Sequence, residues 1–139
     1  RLIDMGIEPF LITSSLEAVI AQRLVRRLCK KCKEPYKPSD AILQEVSLSR
    51  HDVGDRDFYI GRGCKACNFT GYKGRTGIFE FFSMNDAIKE MVLDKAPTAV
   101  LRQRAQEFGM RTLREDGLIK VFDAETSIEE IARETQQYV

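Results

Sequence analysis

Four cysteines in two identically spaced pairs carry the clearest chemistry of this 139-residue sequence. The pattern is C-x2-C-x31-C-x2-C, formed by Cys29, Cys32, Cys64 and Cys67. Two residues between cysteines allow a tight turn to direct both sulfurs at one point, about 2.3 Å from a Zn²⁺ ion. Because four thiolates complete a tetrahedron, the pattern predicts a closed structural zinc site.

Two disulfides, four unrelated thiols and a redox C-x-x-C site are the alternatives for these cysteines. The chain opens without a signal-peptide pattern, and a redox site uses a single pair near a βαβ pattern, so zinc is favoured. His51 lies in the spacer and is an alternative ligand, although a lone histidine among charged residues is typical of a solvated side chain. Cations flank both pairs, would offset the formal −2 charge of a Zn(Cys)₄ centre and would lower the thiol pKa values. These cations are Lys30, Lys31, Lys33, Arg62, Lys65 and Lys73.

Composition bounds the class of protein. Hydrophobic residues make up 43% and charged residues 31%, which excludes a wholly disordered chain. The net charge is +1, too small for a generic polyanion binder, so nucleic acid is not a predicted partner. No apolar run reaches the length of a transmembrane helix. The charge is nonetheless uneven, being basic over 22–37 and 60–76 and acidic over 115–134.

Apolar spacing predicts a helix that leads into the first cysteine pair. Ser14 and Glu17 fit a capping box, and apolar residues recur at helical spacing over about Ser15–Leu28. Three arginines fall on the less apolar side of this helix. They are Arg23, Arg26 and Arg27. We interpret them as a solvated basic face, or as a contact to a nucleotide phosphate or to a neighbouring subunit.

A hairpin is predicted around the second cysteine pair, with strands at 58–61 and 76–82 closed by the zinc-binding turn. Residues 35–39 are expected to form a connector, residues 40–46 a short helix, and residues 47–57 a polar loop. So small a subdomain has little core, and we expect the metal to supply its stability.

The remainder of the sequence is predicted to be helical. Asn85 caps one helix, Pro97 lies near the first turn of the next, which stops at Gly109, and Thr112 opens a third. Ser127 begins a second capping box, completed by Glu130 three residues on. The fold class is therefore α+β, with a mostly helical C-terminal region and a small zinc-bound hairpin. No phosphate-binding loop, nucleophile elbow or H-E-x-x-H motif occurs, and we predict no catalytic residue.

Four segments resemble the ATPases of type II secretion and type IV pilus assembly. They are RLIDMGIEPFL at 1–11, AQRLVRRLC at 21–29, GCKACNFTGYKGRTGIFE at 63–80 and GMRTLREDG at 109–117. The resemblance implies the end of a RecA-like motor domain in 1–28 (the predicted helix), a tetracysteine zinc-binding subdomain in 29–82 and a helical C-terminal domain in 83–139. The first residue is Arg1, which we interpret as the start of a fragment whose phosphate-binding loop lies upstream.

The same resemblance implies what the intact protein does. It would be a cytoplasmic homo-hexamer, held at the inner membrane through partners, that uses ATP and Mg²⁺ to drive secretion or pilus extension with an inner-membrane platform protein. This segment would then serve structural and docking roles without catalysis of its own. A zinc-ribbon nucleic-acid module is the alternative, since Tyr36, Phe69 and Tyr72 flank the cysteines. A chaperone-type zinc module is a third hypothesis, although the repeats of such modules carry more than four cysteines.

Overall fold

The computed structural model describes residues 1–135, which form two compact units. Unit 1 comprises Arg1–Ala21 and Glu80–Thr112, and unit 2 comprises Gln22–Phe79 and residues 113–135. The fold is α+β. Its helices are α1 (Pro9–Ser15), α2 (Asp40–Glu45), α3 (Arg50–Val53), α4 (Asp86–Leu93), α5 (Thr98–Glu107), α6 (Leu113–Phe122) and α7 (Ile128–Glu134). Its strands are β1 (Ala18–Leu28), β2 (Lys33–Tyr36), β3 (Phe58–Gly61) and β4 (Tyr72–Ser83).

The predicted helix over 15–28 is wrong, because this stretch forms strand β1. The preceding helix α1 begins at Pro9 and ends where the hydroxyls of Ser14 and Ser15 bond back to the Leu11 carbonyl. From Ala21 to Val25 burial alternates with period two, which suits a strand. Apolar residues in this stretch satisfy both periods, and hydrogen bonding to β4 decides between them.

The predicted pairing of 58–61 with 76–82 is also wrong. Strand β3 pairs antiparallel with β2, in a register that places Lys33 opposite Gly61 and Tyr36 opposite Phe58, whereas β4 pairs with β1. Strand β2 includes Pro35, which the sequence predicted as part of a connector. A two-stranded sheet has only edge strands, and an edge strand tolerates the missing proline N–H.

Helix α3 lies inside the predicted polar loop. Ser49 accepts a hydrogen bond from the backbone N–H of Asp52 at 3.2 Å, and the Asp52 carboxylate accepts one from the Ser49 N–H at 2.8 Å. This reciprocal capping box stabilises a single helical turn without an apolar stripe. Short helices held by caps alone escape a search for hydrophobic periodicity.

The other predicted helices are confirmed, and so are the side-chain caps of α2, α4 and α7. Ser39 caps α2, Asn85 caps α4 and Pro97 precedes α5, after which Gly109 adopts a positive φ of 98°. Ser127 caps α7 by accepting from the Glu130 N–H at 3.2 Å. The Glu130 carboxylate, however, does not return to Ser127 as a capping box requires; it is bound elsewhere. Among residues 1–135 no helix is long and apolar enough to cross a bilayer.

Each unit has its own buried core. In unit 1, α4 packs against both α1 and α5, with Ile12 and Ile88 buried. In unit 2, α6 packs on α7 and on β3, where the Phe58 and Phe122 rings meet edge to face with centroids 5.9 Å apart. Unit 2 also holds all four cysteines, so its core directly supports them.

Candidate metal centre

All four predicted cysteines converge in unit 2. Their sulfurs lie within 4.8 Å of one another, and the sulfur–sulfur separations of Cys29–Cys64, Cys32–Cys67 and Cys64–Cys67 are each 3.8 Å. A tetrahedron with metal–sulfur bonds of 2.3 Å has edges of about 3.8 Å. Disulfide sulfurs would lie about 2.05 Å apart, so the cysteines are free thiols arranged as a tetrahedral donor set.

The first cysteine pair follows directly from the end of β1. The Leu28 N–H donates to the Glu125 carbonyl and the Cys29 N–H donates to the Gly71 carbonyl, both at 2.9 Å. The chain then turns, because the Lys33 N–H bonds back to the Cys29 carbonyl at 3.0 Å. These bonds fix Cys29 against the loop that follows the second pair.

The second cysteine pair is held in a single 3₁₀ turn, Lys65–Cys67. The Phe69 N–H donates to the Cys64 carbonyl at 2.8 Å, and Asn68 and Phe69 both adopt left-handed backbone with φ of 54° and 61°. The Cys64 N–H points at the Cys67 sulfur, 3.2 Å away. The turn thus presents both sulfurs on one side.

Backbone amides stabilise negative charge on the sulfurs. The Gly63 N–H donates to the Cys32 sulfur and the Gly71 N–H donates to the Cys67 sulfur, each at 3.3 Å. Burial alone would raise the pKa of Cys67, but the N–H groups of Cys64 and Gly71 bring it down to about 6. Burial raises the pKa of Cys32 to about 12. One thiol is therefore set to ionise first, as a metal ligand must.

Two glycines allow the backbone approach that brings the pairs together. A Cβ on Gly61 would lie 2.0 Å from the Gly71 carbonyl oxygen, and a Cβ on Gly71 would lie 2.4 Å from the Gly61 oxygen. No side chain larger than hydrogen fits at either position. The end of β3 can therefore pass against the loop before β4 only because both residues are glycine.

The donor set fits Zn²⁺. Four thiolates at tetrahedral spacing, with amides directed at the sulfurs and no fifth side chain in the cluster among residues 1–135, match the chemistry of a closed zinc site. The alternative ligand His51 lies on the exposed helix α3, outside the cluster. A bound Zn²⁺ would tie the end of β1 to the turn after β3.

The predicted cations have different environments. The Lys33 ammonium donates to the Ala124 carbonyl at 3.1 Å and lies 5.7 Å from the Tyr59 ring centroid. Arg62 forms an ion pair with Glu34 at 3.1 Å. Lys30, Lys31 and Lys73 line a cavity beside Cys29 together with Arg27, and Lys65 is exposed in the 3₁₀ turn.

The Arg26 side chain forms its hydrogen bonds with Glu130 within unit 2. Its guanidinium donates two hydrogen bonds to one Glu130 oxygen, at 2.8 and 3.1 Å, its backbone N–H donates to the other at 3.1 Å, and its charge lies 4.0 Å from the Tyr72 ring centroid. The Glu130 side chain is only 2% exposed. Burial opposes ionisation of Glu130, yet the bonds from Arg26 hold its pKa below the ordinary value.

The start of α7 is held to strands β1, β2 and β4 by contacts that sequence reasoning missed. The Thr126 hydroxyl donates to the Arg26 carbonyl at 2.7 Å, and the Tyr72 and Ser127 hydroxyls share a hydrogen bond of 2.5 Å. Tyr36 donates to Glu129. These partners lie 55 to 100 residues apart in the chain, so the only local signal was the cap at Ser127.

Comparison with known proteins gives one family. The family model described as "Type II/IV secretion system protein" matches residues 1–133. "Type IV pilus assembly ATPase PilB" of Myxococcus xanthus is 43% identical over 136 residues, which cover 97% of this chain and 24% of the relative.

Two secretion proteins are similarly close. "Type II secretion system ATPase E" of Vibrio cholerae is 42% identical over 137 residues, covering 99% of this chain and 27% of the relative. "Type II secretion system protein E" of Pseudomonas aeruginosa is 40% identical over 138 residues, with the same coverage of both chains. The chain thus spans about a quarter of the length of these curated relatives.

Proposed function

Because the chain belongs to the type II/IV secretion system protein family, we propose that it is the zinc-binding and helical portion of an ATPase that powers type II secretion or type IV pilus assembly. The relatives named as ATPases are about four times longer than the part matched here. We infer that the hydrolysis of ATP with Mg²⁺ belongs to other segments of a protein of that length. The role proposed for this segment is structural.

The observation that carries the proposal is the cluster of four sulfurs, which all lie within 4.8 Å of one another and of which three pairs are 3.8 Å apart. A Zn²⁺ held by Cys29, Cys32, Cys64 and Cys67 would cross-link two stretches of chain that lie 35 residues apart. The cross-link makes a rigid knob of a subdomain whose two-stranded sheet has little stability alone. A rigid knob can transmit force from a motor to a partner.

The assembly around this segment follows the family. We infer a homo-hexamer, located in the cytoplasm and held at the inner membrane by a platform protein of the secretion or pilus machine. Strand β1 exposes Ile20 and Leu24, and β4 exposes Phe79 and Phe81, each at 47 to 60%. Apolar strand surface of this kind supports burial against another part of a longer chain, consistent with the proposed end of a RecA-like motor domain.

Within this assembly the basic side chains on β1 are assigned by their contacts. Arg26 serves the interior of unit 2 through Glu130. Arg23 and Arg27 stay candidates for a contact to a nucleotide or to a neighbouring subunit, as the sequence predicted. A nucleic-acid module is not favoured, since the relatives are secretion and pilus proteins.

Zinc content and motor function test the proposal together. The purified chain should hold one Zn²⁺ by mass spectrometry of the metal, and Cys64→Ser should lose it. In the full-length protein in its own host, Cys64→Ser should abolish secretion or pilus assembly. Gln103→Ser, an exposed change on α5, is the matched control and should keep both. Full zinc loss with undiminished secretion and pili would contradict the structural role.

A further inference from the structure

A basic cavity lies next to the first cysteine pair. It has a volume of 310 Å³ and is lined by four cations, Arg27, Lys30, Lys31 and Lys73, above Leu28, Cys29 and Ala66. We name the four cations the basic notch. The volume falls at the lower end of the ~300–1,000 Å³ range of small-molecule sites, which suits a compact group.

The basic notch is uncompensated. None of its four cations has a hydrogen-bond or ion-pair partner among residues 1–135, and no acidic residue of that range lines the cavity. Two nearby cations outside the notch are satisfied by the protein itself, Lys33 by the Ala124 carbonyl and Arg62 by Glu34. Four like charges around one cavity repel one another, and an anion would relieve that repulsion.

The metal centre does not account for the charge of the basic notch. A Zn(Cys)₄ centre carries a formal charge of about −2, which leaves a surplus of about two positive charges even if the notch alone balanced it. Backbone amides of Gly63 and Gly71 already donate to the sulfurs of Cys32 and Cys67. The cations are therefore available to a ligand.

The cations of the basic notch come from two strands and one turn. Arg27 lies near the end of β1, and its Cδ stands 4.0 Å from the place a Cβ on Gly74 would occupy. Lys73 precedes Gly74 on β4, while Lys30 and Lys31 belong to the turn between the first two cysteines. Arginine offers a planar fork for two oxygens of one anion, and lysines add point charges around it.

From this arrangement we propose that the basic notch binds a phosphate-bearing anion of diphosphate size. The ligand is a free diphosphate or the diphosphate of a nucleotide, and both share the oxygens that the four cations recognise. This site is separate from the ATP hydrolysis assigned to other parts of the longer protein. It does not depend on that activity, since all four cations are in the present chain.

Titration of the zinc-containing chain with pyrophosphate tests the proposal. Calorimetry and the amide NMR shifts of Lys30 and Gly74 detect the binding. Binding should saturate and weaken with salt. The double variant Lys30→Gln/Lys73→Gln should weaken it roughly tenfold or more. Lys89→Gln/Lys95→Gln removes the same charge in unit 1 and should change it less than about twofold.

Parallel titrations with ADP and adenosine identify the source of the phosphate. Pyrophosphate and ADP binding to the notch, without adenosine binding, supports recognition of the diphosphate in either form. Binding of ADP but not pyrophosphate would overturn it, as would equal losses in the two double variants or a response that never saturates. The zinc content of each variant is measured as well, so that weaker anion binding caused by loss of zinc is distinguished from weaker binding caused by loss of the notch cations.

Discussion

Glu130 keeps a carboxylate almost out of water, with 2% of its side chain exposed, at the first turn of α7. Arg26 and Arg133 each approach one of its oxygens to 2.8 Å, and the Arg26 N–H satisfies the other. A buried charge with complete hydrogen bonding is tolerated, but removing its charge leaves the partners poorly satisfied. This residue therefore joins α7 to the strand that leads into the cysteines.

We expect Glu130→Gln to lower the free energy of unfolding by ~2–3 kcal/mol, because charged hydrogen bonds to Arg26 are lost. Urea unfolding of the chain measures this. Glu107→Gln breaks an exposed pair with Arg104 and should cost less than about 1 kcal/mol. Equal effects of the two substitutions would contradict a central role for Glu130.

The same carboxylate predicts a pH dependence. The pKa of Glu130 is depressed in the folded state, so its contribution to stability is present above the unfolded pKa of about 4.3 and is lost as pH falls through the folded pKa. The stability difference between the wild type and Glu130→Gln should shrink as the solution is acidified through that range. A difference that stayed constant down to the acid end would be inconsistent with an ionised Glu130.

Position 61 requires glycine for lack of space and not for its backbone conformation. A Cβ added to Gly61 would lie 2.0 Å from the Gly71 carbonyl oxygen. We expect Gly61→Ala to cost about 3 kcal/mol or more and to weaken zinc binding, because the two backbones must separate. Glu34→Ala, on the strand opposite, removes only an exposed ion pair and is the control. Retained stability and metal content in Gly61→Ala would refute the close approach.

At the scale of elements, helices α6 and α7 pack through a glycine. A Cβ on Gly117 would stand 2.8 Å from Cδ1 and 2.9 Å from Cγ2 of Ile131, a residue with no exposed surface. The small residue lets α7 lie close against α6, and α7 in turn carries Glu130. A tight helix pair thus sets the position of the buried carboxylate.

Alanine at position 117 gains about 1 kcal/mol of helix propensity but overpacks the interface by about 1–3 kcal/mol. We therefore expect Gly117→Ala to destabilise the chain in thermal unfolding. Adding Ile131→Val removes a methylene near the new Cβ and should recover part of the loss. Stabilisation by Gly117→Ala alone would mean that the interface has room.

At the scale of the whole molecule, the metal should stabilise one unit and leave the other folded. Unit 2 contains all four cysteines, whereas unit 1 builds its core from α1, α4 and α5. Chelation of zinc should expose the amides of β2 and β3 to hydrogen exchange, while those of α4 and α5 stay protected. Simultaneous loss of protection in both units would show that they unfold as one.

Acid should act in the same direction as the chelator. Metal binding requires thiolates, so protons compete with Zn²⁺ and affinity falls as pH decreases. A cobalt-substituted chain, followed by its thiolate absorption, would report this without an activity assay. The zinc-free Cys64→Ser variant provides the baseline for both experiments.

The sequence by itself predicted the four candidate metal ligands, the family and the starts of most helices. The spacing of Cys29, Cys32, Cys64 and Cys67 was sufficient for the donor set because a two-residue turn is a local structure. Caps at Ser39, Asn85 and Ser127 were found for the same reason, since a side chain there bonds to an amide three residues away.

Only the tertiary structure decided the strand status of 18–28, the pairing of β3 with β2, and the use of Arg26 and Glu130. Each of these depends on residues far away in the chain. The local sequence pattern of a strand does not identify the strand with which it pairs. The carboxylate of Glu130 was predicted to be half of a capping box, but the half-exposed guanidinium of Arg26, 104 residues away, binds it instead.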